Sequence, residues 1–312
     1  MSLALEDKTS AAPERFERPA WKEKPKPITQ AAKAVALVVT VLVVVVPFWT
    51  VIATSFAPDR QVIANGGYAL WPEQWTFAAY GRILEQGQVT TALGVSVGIT
   101  IAGTLFSLFC TVTLAYALAR PGVVGGKPVM IGILFTFLFP AGFIPTFLVV
   151  KSLGLYDSYA ALILPVLVNA FNLVVMRGFF QGIPNELFES AKIDGAGELR
   201  ILCTIVLPLS KAVIAVVGLF YAVSYWNSWF NAVLLLGDTN KWPLQALMRT
   251  YVIGTTNGNL IDVKGAVEEQ MIYAPQTTNM AVVVLATVPI LILYPFVQRY
   301  FTKGVLTGAI KS

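Results

Sequence analysis

Residues 181–211 combine charged, small and turn-forming side chains, and read QGIPNELFESAKIDGAGELRILCTIVLPLSK. Pro184 suits the first turn of a helix, because its missing N–H is not needed there. Three following residues share one helix face at i, i+1 and i+4 spacing: Leu187, Phe188 and Ala191. Asp194 and Gly195 form a turn signal, and Asp194 is expected to cap a second helix running toward Pro208. The residues alone predict two short helices with a break between them.

No set of residues suits acid–base, nucleophilic or metal chemistry. The chain has no histidine, and its cysteines, Cys110 and Cys203, lie far apart, which argues against a Cys/His metal cluster and a disulfide framework. The long apolar stretches carry no Asp or Glu, and no nucleophile–base pair stands out. We therefore expect no catalytic residue, no metal site and no cofactor on this chain.

Gly122 to Lys127 superficially resembles a phosphate-binding loop. A Walker A loop needs four residues between its first glycine and Gly-Lys, followed by Ser or Thr for magnesium. Only three residues separate Gly122 from Gly126, and Pro128 follows Lys127. We interpret the segment as a tight turn, so the chain is not expected to hydrolyse ATP itself.

The segment 221–231, YAVSYWNSWFN, places aromatic, amide and hydroxyl groups inside an apolar stretch. Sugars present apolar C–H faces and many hydroxyls, so this mixture suits a sugar path. The candidate path residues are Tyr221, Ser224, Tyr225, Asn227, Ser228 and Asn231. At helical spacing they fall near one face, Tyr225 excepted and Asn227 at its edge. The alternative is interhelical hydrogen bonding, with an interfacial aromatic belt of Trp226, Trp229 and Phe230.

The composition indicates a membrane protein. Of the 312 residues 56% are hydrophobic and only 12% are charged, about half the charged fraction of a soluble domain. Six stretches free of Asp, Glu, Lys and Arg are long enough to cross a bilayer: 34–54, 91–118, 129–150, 159–176, 212–236 and 278–298. Residues 1–30 are polar and rich in Pro, Lys and Glu, and are predicted to be a disordered tail.

The basic residues predict the orientation. With a cytoplasmic N-terminus, 16 of the 22 Lys and Arg residues fall in inner segments, as the positive-inside rule requires. Both termini and the loop 177–211 are therefore predicted to be cytoplasmic, and the loops 55–90, 151–158 and 237–277 to lie outside.

The inner loop resembles a known family. Glu189-Ser190-Ala191, three residues, Gly195, nine residues and Ile205-x-Leu207-Pro208 match the EAA-x3-G-x9-I-x-L-P coupling loop of binding-protein-dependent ABC importer permeases. The one departure is Ser190 in place of the second alanine. Three other segments resemble the carbohydrate-uptake branch, similar to the G-type maltose permease: residues 47–56, 221–229 and 295–309. The last of them is most similar to subunits that import oligosaccharides.

The resemblance implies an all-α integral membrane protein of the type I ABC importer permease fold, in the bacterial cytoplasmic (inner) membrane. The permease domain would cover 31–312, with its core at about 88–300 and a coupling loop at 181–208. The implied partners are a second homologous permease, two ABC ATPase subunits that bind ATP and magnesium, and an extracellular solute-binding protein. The implied substrate is a sugar, the surrounding medium is membrane lipid, and no nucleic-acid partner is expected.

The resemblance also implies roles for the coupling loop. Glu189 would contact a groove of the ATPase, and Gly195 would provide the sharp turn. Close approach would be permitted by Ala191 and Ala196. Apolar anchors in the ATPase pocket would be Leu187 and Phe188. The remaining motif positions are Asp194, Ile205, Leu207 and Pro208. In similar subunits the loop at 237–277 reaches the docked binding protein; here it contains Trp242, Tyr251 and Tyr273, and a solvated connector is the alternative.

Three other functions are considered. A permease for an amino acid or polyamine would share the coupling loop but not the fifth-span and C-terminal resemblances. A secondary carrier would transport without an ATPase, but the apolar stretches hold no ionisable residue for a proton relay. A membrane enzyme lacks candidate catalytic groups.

Overall fold

The computed structural model describes the backbone of residues 26–254 and 276–309, with side chains described up to 252 and, after the gap, for 276–292. The chain divides into two compact units, Met1–Trp49 and Thr50–Ser312. In the first unit, residues 27–49 lie in one apolar helix with exposed side chains, as suits a helix in lipid.

All regular structure in the described residues is helical. The helices are α1 Pro27–Ser55, α2 Asp59–Ala64, α3 Ala78–Gln86, α4 Gln88–Ala119, α5 Gly126–Leu138, α6 Phe143–Ser152, α7 Ala160–Val166, α8 Ala170–Gln181, α9 Asn185–Ile193, α10 Glu198–Leu209, α11 Lys211–Trp226, α12 Trp229–Leu235, α13 Leu244–Gly254 and α14 Gln276–Ala309. The predicted tail boundary at residue 30 is wrong by a few residues, because α1 already begins at Pro27, a residue suited to a first helical turn. Residues 1–25 of the tail lie outside the described residues.

Each apolar stretch predicted to cross the membrane falls on a helix or a helix pair. Among the described residues, α1 and α4 are each long and apolar enough to cross a membrane alone. Three further candidates are bent pairs: α5 with α6 at 119°, α7 with α8 at 51°, and α10 with α11 at 85°. The apolar part of α14, Gln276–Ile292, is shorter. The count of six spans remains a prediction.

The predicted fifth span, 212–236, is not one continuous helix. α11 ends at Trp226 and α12 begins at Trp229. The Asn227 side-chain amide donates to the Val223 carbonyl at 2.9 Å, and the Ser228 hydroxyl donates to the Tyr225 carbonyl at 2.7 Å. Such side-chain bonds to the backbone compete with continuation of a helix, so the apolar pattern continues while the helix does not.

The helix α4 is the centre of the bundle, packing along α11 and α8. Small residues allow these helices to approach closely, as is common in membrane bundles. Gly103 of α4 lies against the ring of Tyr225, and Gly218 of α11 lies against Leu108 of α4. The packing of α4 on α11 therefore depends on the missing side chains of two glycines.

A polar clasp joins three segments that are distant in sequence. The Arg82 guanidinium of α3 donates to both carboxylate oxygens of Asp59, at 2.7 and 3.0 Å. It also donates to the hydroxyls of Thr277 and Thr278 at the start of α14. Burial alone would raise the pKa of Asp59, but the hydrogen bonds from Arg82 and Thr277 and the charge of Arg82 lower it overall.

The predicted outer loop 237–277 contains a helix, α13, which was not predicted from the sequence. Trp242 and Tyr251 are buried, and the Trp242 indole N–H donates to the Leu236 carbonyl. Both side chains pack inside the chain, and the expectation that the loop reaches a docked protein stays a prediction. Tyr273 lies outside the described residues.

Candidate functional site

The coupling segment consists of α9, a turn and α10, as the spacing of its residues predicts. The predicted role of Asp194 is wrong: it lies at the C-terminal end of α9 with φ −73°, whereas Gly197 precedes the first residue of α10. The Asp194 N–H donates to the Ser190 carbonyl, so Asp194 extends the last turn of α9 and does not begin a second helix.

Gly195 makes the sharp turn. Its φ is +76°, in the left-handed region, which residues with a Cβ adopt only at a cost. The Gly195 N–H donates to the Lys192 carbonyl at 3.0 Å, and the Ala196 N–H donates to the Ala191 carbonyl at 2.9 Å. These bonds satisfy carbonyls at the end of α9 in the manner of a glycine C-cap and reverse the chain direction before α10.

One face of α9 is buried in the chain and the other is exposed. Phe188 and Ala191 are 6% and 9% exposed and belong to the main apolar core. The expectation that Phe188 anchors in a partner is therefore wrong for this conformation, because its ring already packs against its own chain. Leu187 and Glu189 lie exposed and are the two of these predicted contact residues that a partner can reach.

Arg120 connects α9 to the end of α4. Its guanidinium carbon lies 4.0 Å from the centroid of the Phe188 ring and 5.6 Å from that of Tyr116. Its Nη2 lies 3.5 Å from Oε2 of Glu198, the first residue of α10, and the Tyr116 hydroxyl donates to the same oxygen at 2.5 Å. Lys192 of α9 pairs with the other carboxylate oxygen at 3.2 Å. These side chains form one network, here called the Arg120 network: Tyr116, Arg120, Phe188, Lys192 and Glu198.

A groove of about 650 Å³ lies beside the Arg120 network. Its walls are the end of α4, the turn at Pro121–Val123, α9 and the first residues of α10. Gly122 and Gly125 in that turn both have φ +79°, which agrees with the tight turn predicted there. All five side chains of the Arg120 network line this groove.

The remaining motif residues shape α10. Residues Leu202–Val206 form a π turn, and Pro208 lies in the following turn. Proline cannot donate to the carbonyl four residues before it, and π turns with proline are common causes of helix bends. Ile205 and Leu207 are partly buried and pack on the core. The coupling segment thus continues through α10 directly into α11.

The candidate path residues are not on one accessible face. Tyr221 and Tyr225 are 2% and 3% exposed. Tyr221 shares a hydrogen bond with Thr111 at 2.7 Å and accepts one from the Asn169 N–H at 2.9 Å. Tyr225 shares one with Ser107 at 2.8 Å. Their predicted role as sugar contacts is therefore wrong for this conformation: the two tyrosines join helices.

Other residues of the segment remain accessible. Ser224 and Asn227 are exposed, whereas Ser228 and Asn231 are partly buried. Because the helix breaks at residues 227 and 228, the four do not lie on a single helical face. The aromatic belt given as the alternative is contradicted at Trp226, which is 5% exposed and whose indole N–H donates to the Ala286 carbonyl of α14.

A polar stripe on α4 was not predicted from the sequence. Hydroxyl residues recur at spacings of three or four along one face of this helix: Ser96, Thr100, Thr104, Ser107 and Thr111. Ser96 accepts a bond from the Leu244 N–H at 2.7 Å, and two others bind the tyrosines of α11. Their periodicity within an apolar stretch is a signal that could have identified them.

Comparison with known proteins agrees with this geometry. The sequence model of the family described as binding-protein-dependent transport system inner membrane component matches residues 93–307. The chain is 46% identical over 279 residues to the polygalacturonan/rhamnogalacturonan transport system permease protein YtcP of Bacillus subtilis, covering 88% of this chain and 96% of that protein. It is 44% identical over 270 residues to protein LplC of the same organism, covering 86% and 90%.

A solved structure is also similar. It is the crystal structure of a bacterial ABC transporter involved in the import of the acidic polysaccharide alginate. One chain of it matches with a TM-score of 0.80 and 31% sequence identity, covering 91% of this chain and 100% of that chain.

Proposed function

The chain belongs to the family of binding-protein-dependent transport system inner membrane components, and we propose that it is the permease subunit of an ATP-driven importer of oligosaccharides. It is a transport subunit of the inner membrane and not an enzyme. The observation that carries the proposal is the coupling segment: a family motif spaced over residues 189–208, folded as two helices around a left-handed Gly195.

The coupling segment docks on a separate ABC ATPase, which binds ATP and magnesium. Leu187 and Glu189 on the exposed face of α9 are the proposed contacts, one apolar and one charged. ATP binding closes the ATPase dimer and moves the coupling segments together. The cavity between the permeases then turns from the cytoplasm to the exterior, and hydrolysis reverses the change.

A second, homologous permease covers the break between α5 and α6. This break lies midway along the predicted third span, and Phe139–Gly142 are exposed in the isolated chain. Non-helical backbone at membrane depth is tolerated only where protein covers it or water fills a cavity. Large apolar side chains surround the break, among them Leu138, Phe143 and Ile144. A subunit packed here would bury them and line a path with the break.

The substrate is an oligosaccharide delivered by an extracellular solute-binding protein. Similar permeases include those named for polygalacturonan/rhamnogalacturonan transport and, at 28% identity over 295 residues, for arabinooligosaccharides in Halalkalibacterium halodurans. Exposed Ser224 in the last turns of α11 and Asn227 in the break after it offer hydroxyl and amide groups for sugar hydroxyls. The proposal includes six spans with both termini cytoplasmic, which the excess of basic residues in the inner segments supports.

The test is purification of the tagged chain from its native membrane, followed by reconstitution in liposomes with its partners. The proposal expects a second permease and an ABC ATPase to co-purify, and oligosaccharide uptake to require ATP and the binding protein. Uptake of an amino acid instead would assign another solute class. Solute transport by the chain alone would identify a secondary carrier and overturn the proposal.

A further inference from the structure

Arg120 lies where the coupling segment meets the transmembrane bundle. It directly follows α4, and its side chain is only 14% exposed. Within the Arg120 network it contacts α9 through Phe188 and α10 through Glu198. One cation therefore connects both arms of the coupling segment to a single transmembrane helix, beside the groove.

The two contacts differ in chemistry. A guanidinium over an aromatic face is attracted by the ring and stacks flat on it, which an ammonium group does less well. The ion pair with Glu198 is longer at 3.5 Å, but Tyr116 of α4 holds the same carboxylate at 2.5 Å. Tyr116 lies in the last turn of α4, and Arg120 is the residue that follows this helix. The end of α4 thus holds α9 by stacking and α10 by charge and a hydrogen bond.

The same helix carries the contacts that join the bundle. Thr111 and Ser107 of α4 bind Tyr221 and Tyr225 of α11. At about 1.5 Å of rise per residue, Thr111 lies about 14 Å from Arg120 along the axis of α4. A displacement of α9 that pulls on Arg120 is therefore applied to a rigid helix whose other contacts form the interior of the bundle.

We propose that Arg120 is a positioning residue that transmits movement of the coupling segment to α4, by stacking on Phe188 and pairing with Glu198. This inference rests on the proposed function, because it assumes an ATPase that moves the segment. Without the network, the ATPase still docks and hydrolyses ATP, but α4 follows its movement poorly. The loss is thus in coupling and not in assembly.

The experiment measures oligosaccharide uptake and ATP hydrolysis together in the reconstituted complex. Arg120→Gln is expected to lower the ratio of uptake to hydrolysis by about tenfold, within the usual range of coupling between sites, with assembly unchanged. Arg120→Lys keeps the charge but loses the flat stacking on Phe188, so its ratio of uptake to hydrolysis should lie between those of wild type and Arg120→Gln. Lys127→Gln removes a charge from an exposed residue of the same inner loop and should leave the ratio at its wild-type value.

A double-variant cycle separates transmission from general damage. Phe188→Leu alone should lower the ratio, and adding Arg120→Gln should lower it little further, because both changes remove one contact. Wild-type ratios in Arg120→Lys and Phe188→Leu would overturn the inference even if Arg120→Gln failed to assemble. A wild-type complex without ATP-dependent uptake would instead overturn the proposed function, so the two failures are distinguishable.

Discussion

A Cβ atom added to Gly103 of α4 would lie 2.7 Å from the ring of Tyr225 on α11. The Tyr225 ring is buried, and its hydroxyl shares a hydrogen bond with Ser107, which lies on α4 like Gly103. It therefore cannot move away without losing a hydrogen bond and opening the interface between α4 and α11. The close approach of these two helices depends on the absence of a side chain at this position.

Gly103→Ala is expected to destabilise the protein by about 1–3 kcal/mol, the usual cost of overpacking a core. Thermal unfolding of the purified complex in detergent measures the change. Gly98→Ala is the matched control, because it adds the same methyl group to α4 where nothing lies within 4 Å. Equal unfolding temperatures for the two variants would contradict the predicted clash.

Tyr221→Phe is expected to lower stability more than Tyr225→Phe does. The Tyr221 hydroxyl bonds Thr111 at 2.7 Å and accepts from the Asn169 N–H at 2.9 Å, whereas the second bond of the Tyr225 hydroxyl, to the Ile163 carbonyl, is long at 3.4 Å. A buried polar group left without a partner costs about 1–3 kcal/mol. The same unfolding assay applies, together with the KM for oligosaccharide uptake. A changed KM with unchanged stability would show that Tyr221 contacts the substrate and does not join helices.

Ser224→Ala is expected to lower uptake without lowering stability, in contrast to Tyr221→Phe. Its side chain is exposed beside the break after α11, so its loss should leave the unfolding temperature unchanged while lowering uptake if it lies on the sugar path. The control is Thr113→Ala, a hydroxyl of α4 that bonds only within its own helix among the described contacts. Uptake equal to wild type for Ser224→Ala would remove it from the proposed path.

Asp157 and Lys241 form a clamp on the predicted outer side. The Lys241 ammonium lies 2.6 Å from Oδ2 of Asp157, whose Oδ1 accepts from the N–H groups of Gly237 and Asp238. Asp157 also has a φ of +63°, which Asn tolerates better than Ala. Asp157→Ala should therefore lower the unfolding temperature more than Asp157→Asn, and equal effects would contradict this.

The clamp also predicts a pH dependence. The Lys241 hydrogen bond and those from the backbone hold the pKa of Asp157 below its ordinary value of 3.8, and Asp157 raises the pKa of Lys241 above 10.5. Because the pKa of Asp157 is lower in the folded than in the unfolded protein, its ionised form stabilises the fold above the unfolded-state pKa. This stabilisation is lost as the pH falls through the folded-state pKa. Because the pKa of Lys241 is higher in the folded than in the unfolded protein, its charged form stabilises the fold below the unfolded-state pKa. This stabilisation is lost as the pH rises through the folded-state pKa. The stability difference between wild type and Asp157→Asn should thus be constant from about pH 5 to 9 and shrink in stronger acid; a steady change across pH 5–9 would contradict it.

The break between α5 and α6 gives a test of the proposed second permease. Ala141→Trp places a large ring on exposed backbone that a partner subunit should cover, and should reduce co-purification of that partner. Val124→Trp, at a side chain that is 99% exposed in the inner turn, should leave it unchanged. If the Ala141→Trp variant co-purifies normally with the second permease, the break between α5 and α6 does not lie at the interface with that subunit.

The sequence predicted elements that depend on local residues. The turn at Gly195 and the helices on either side of it follow from spacing, and each apolar stretch became a helix or helix pair. What it could not predict depends on residues that are distant in sequence. Phe188 faces inward into the apolar core, with Arg120 over its ring, and Trp226 packs in a second buried cluster, where its N–H donates to the Ala286 carbonyl of α14. The break at Asn227 arises from side-chain bonds to the backbone, which a hydropathy pattern does not register.

The central claim, that the coupling segment links an ATPase to oligosaccharide import, is tested most directly by Gly195→Ala in the reconstituted complex. Gly195 needs a left-handed backbone and has open space around its Cβ position, whereas Gly197 has the same open space with φ −74°. We expect Gly195→Ala to impair ATP-dependent uptake while the subunit remains folded, and Gly197→Ala to be tolerated. Wild-type uptake and hydrolysis by Gly195→Ala, or by Gly195→Val with its larger side chain disfavoured at positive φ, would contradict this expectation.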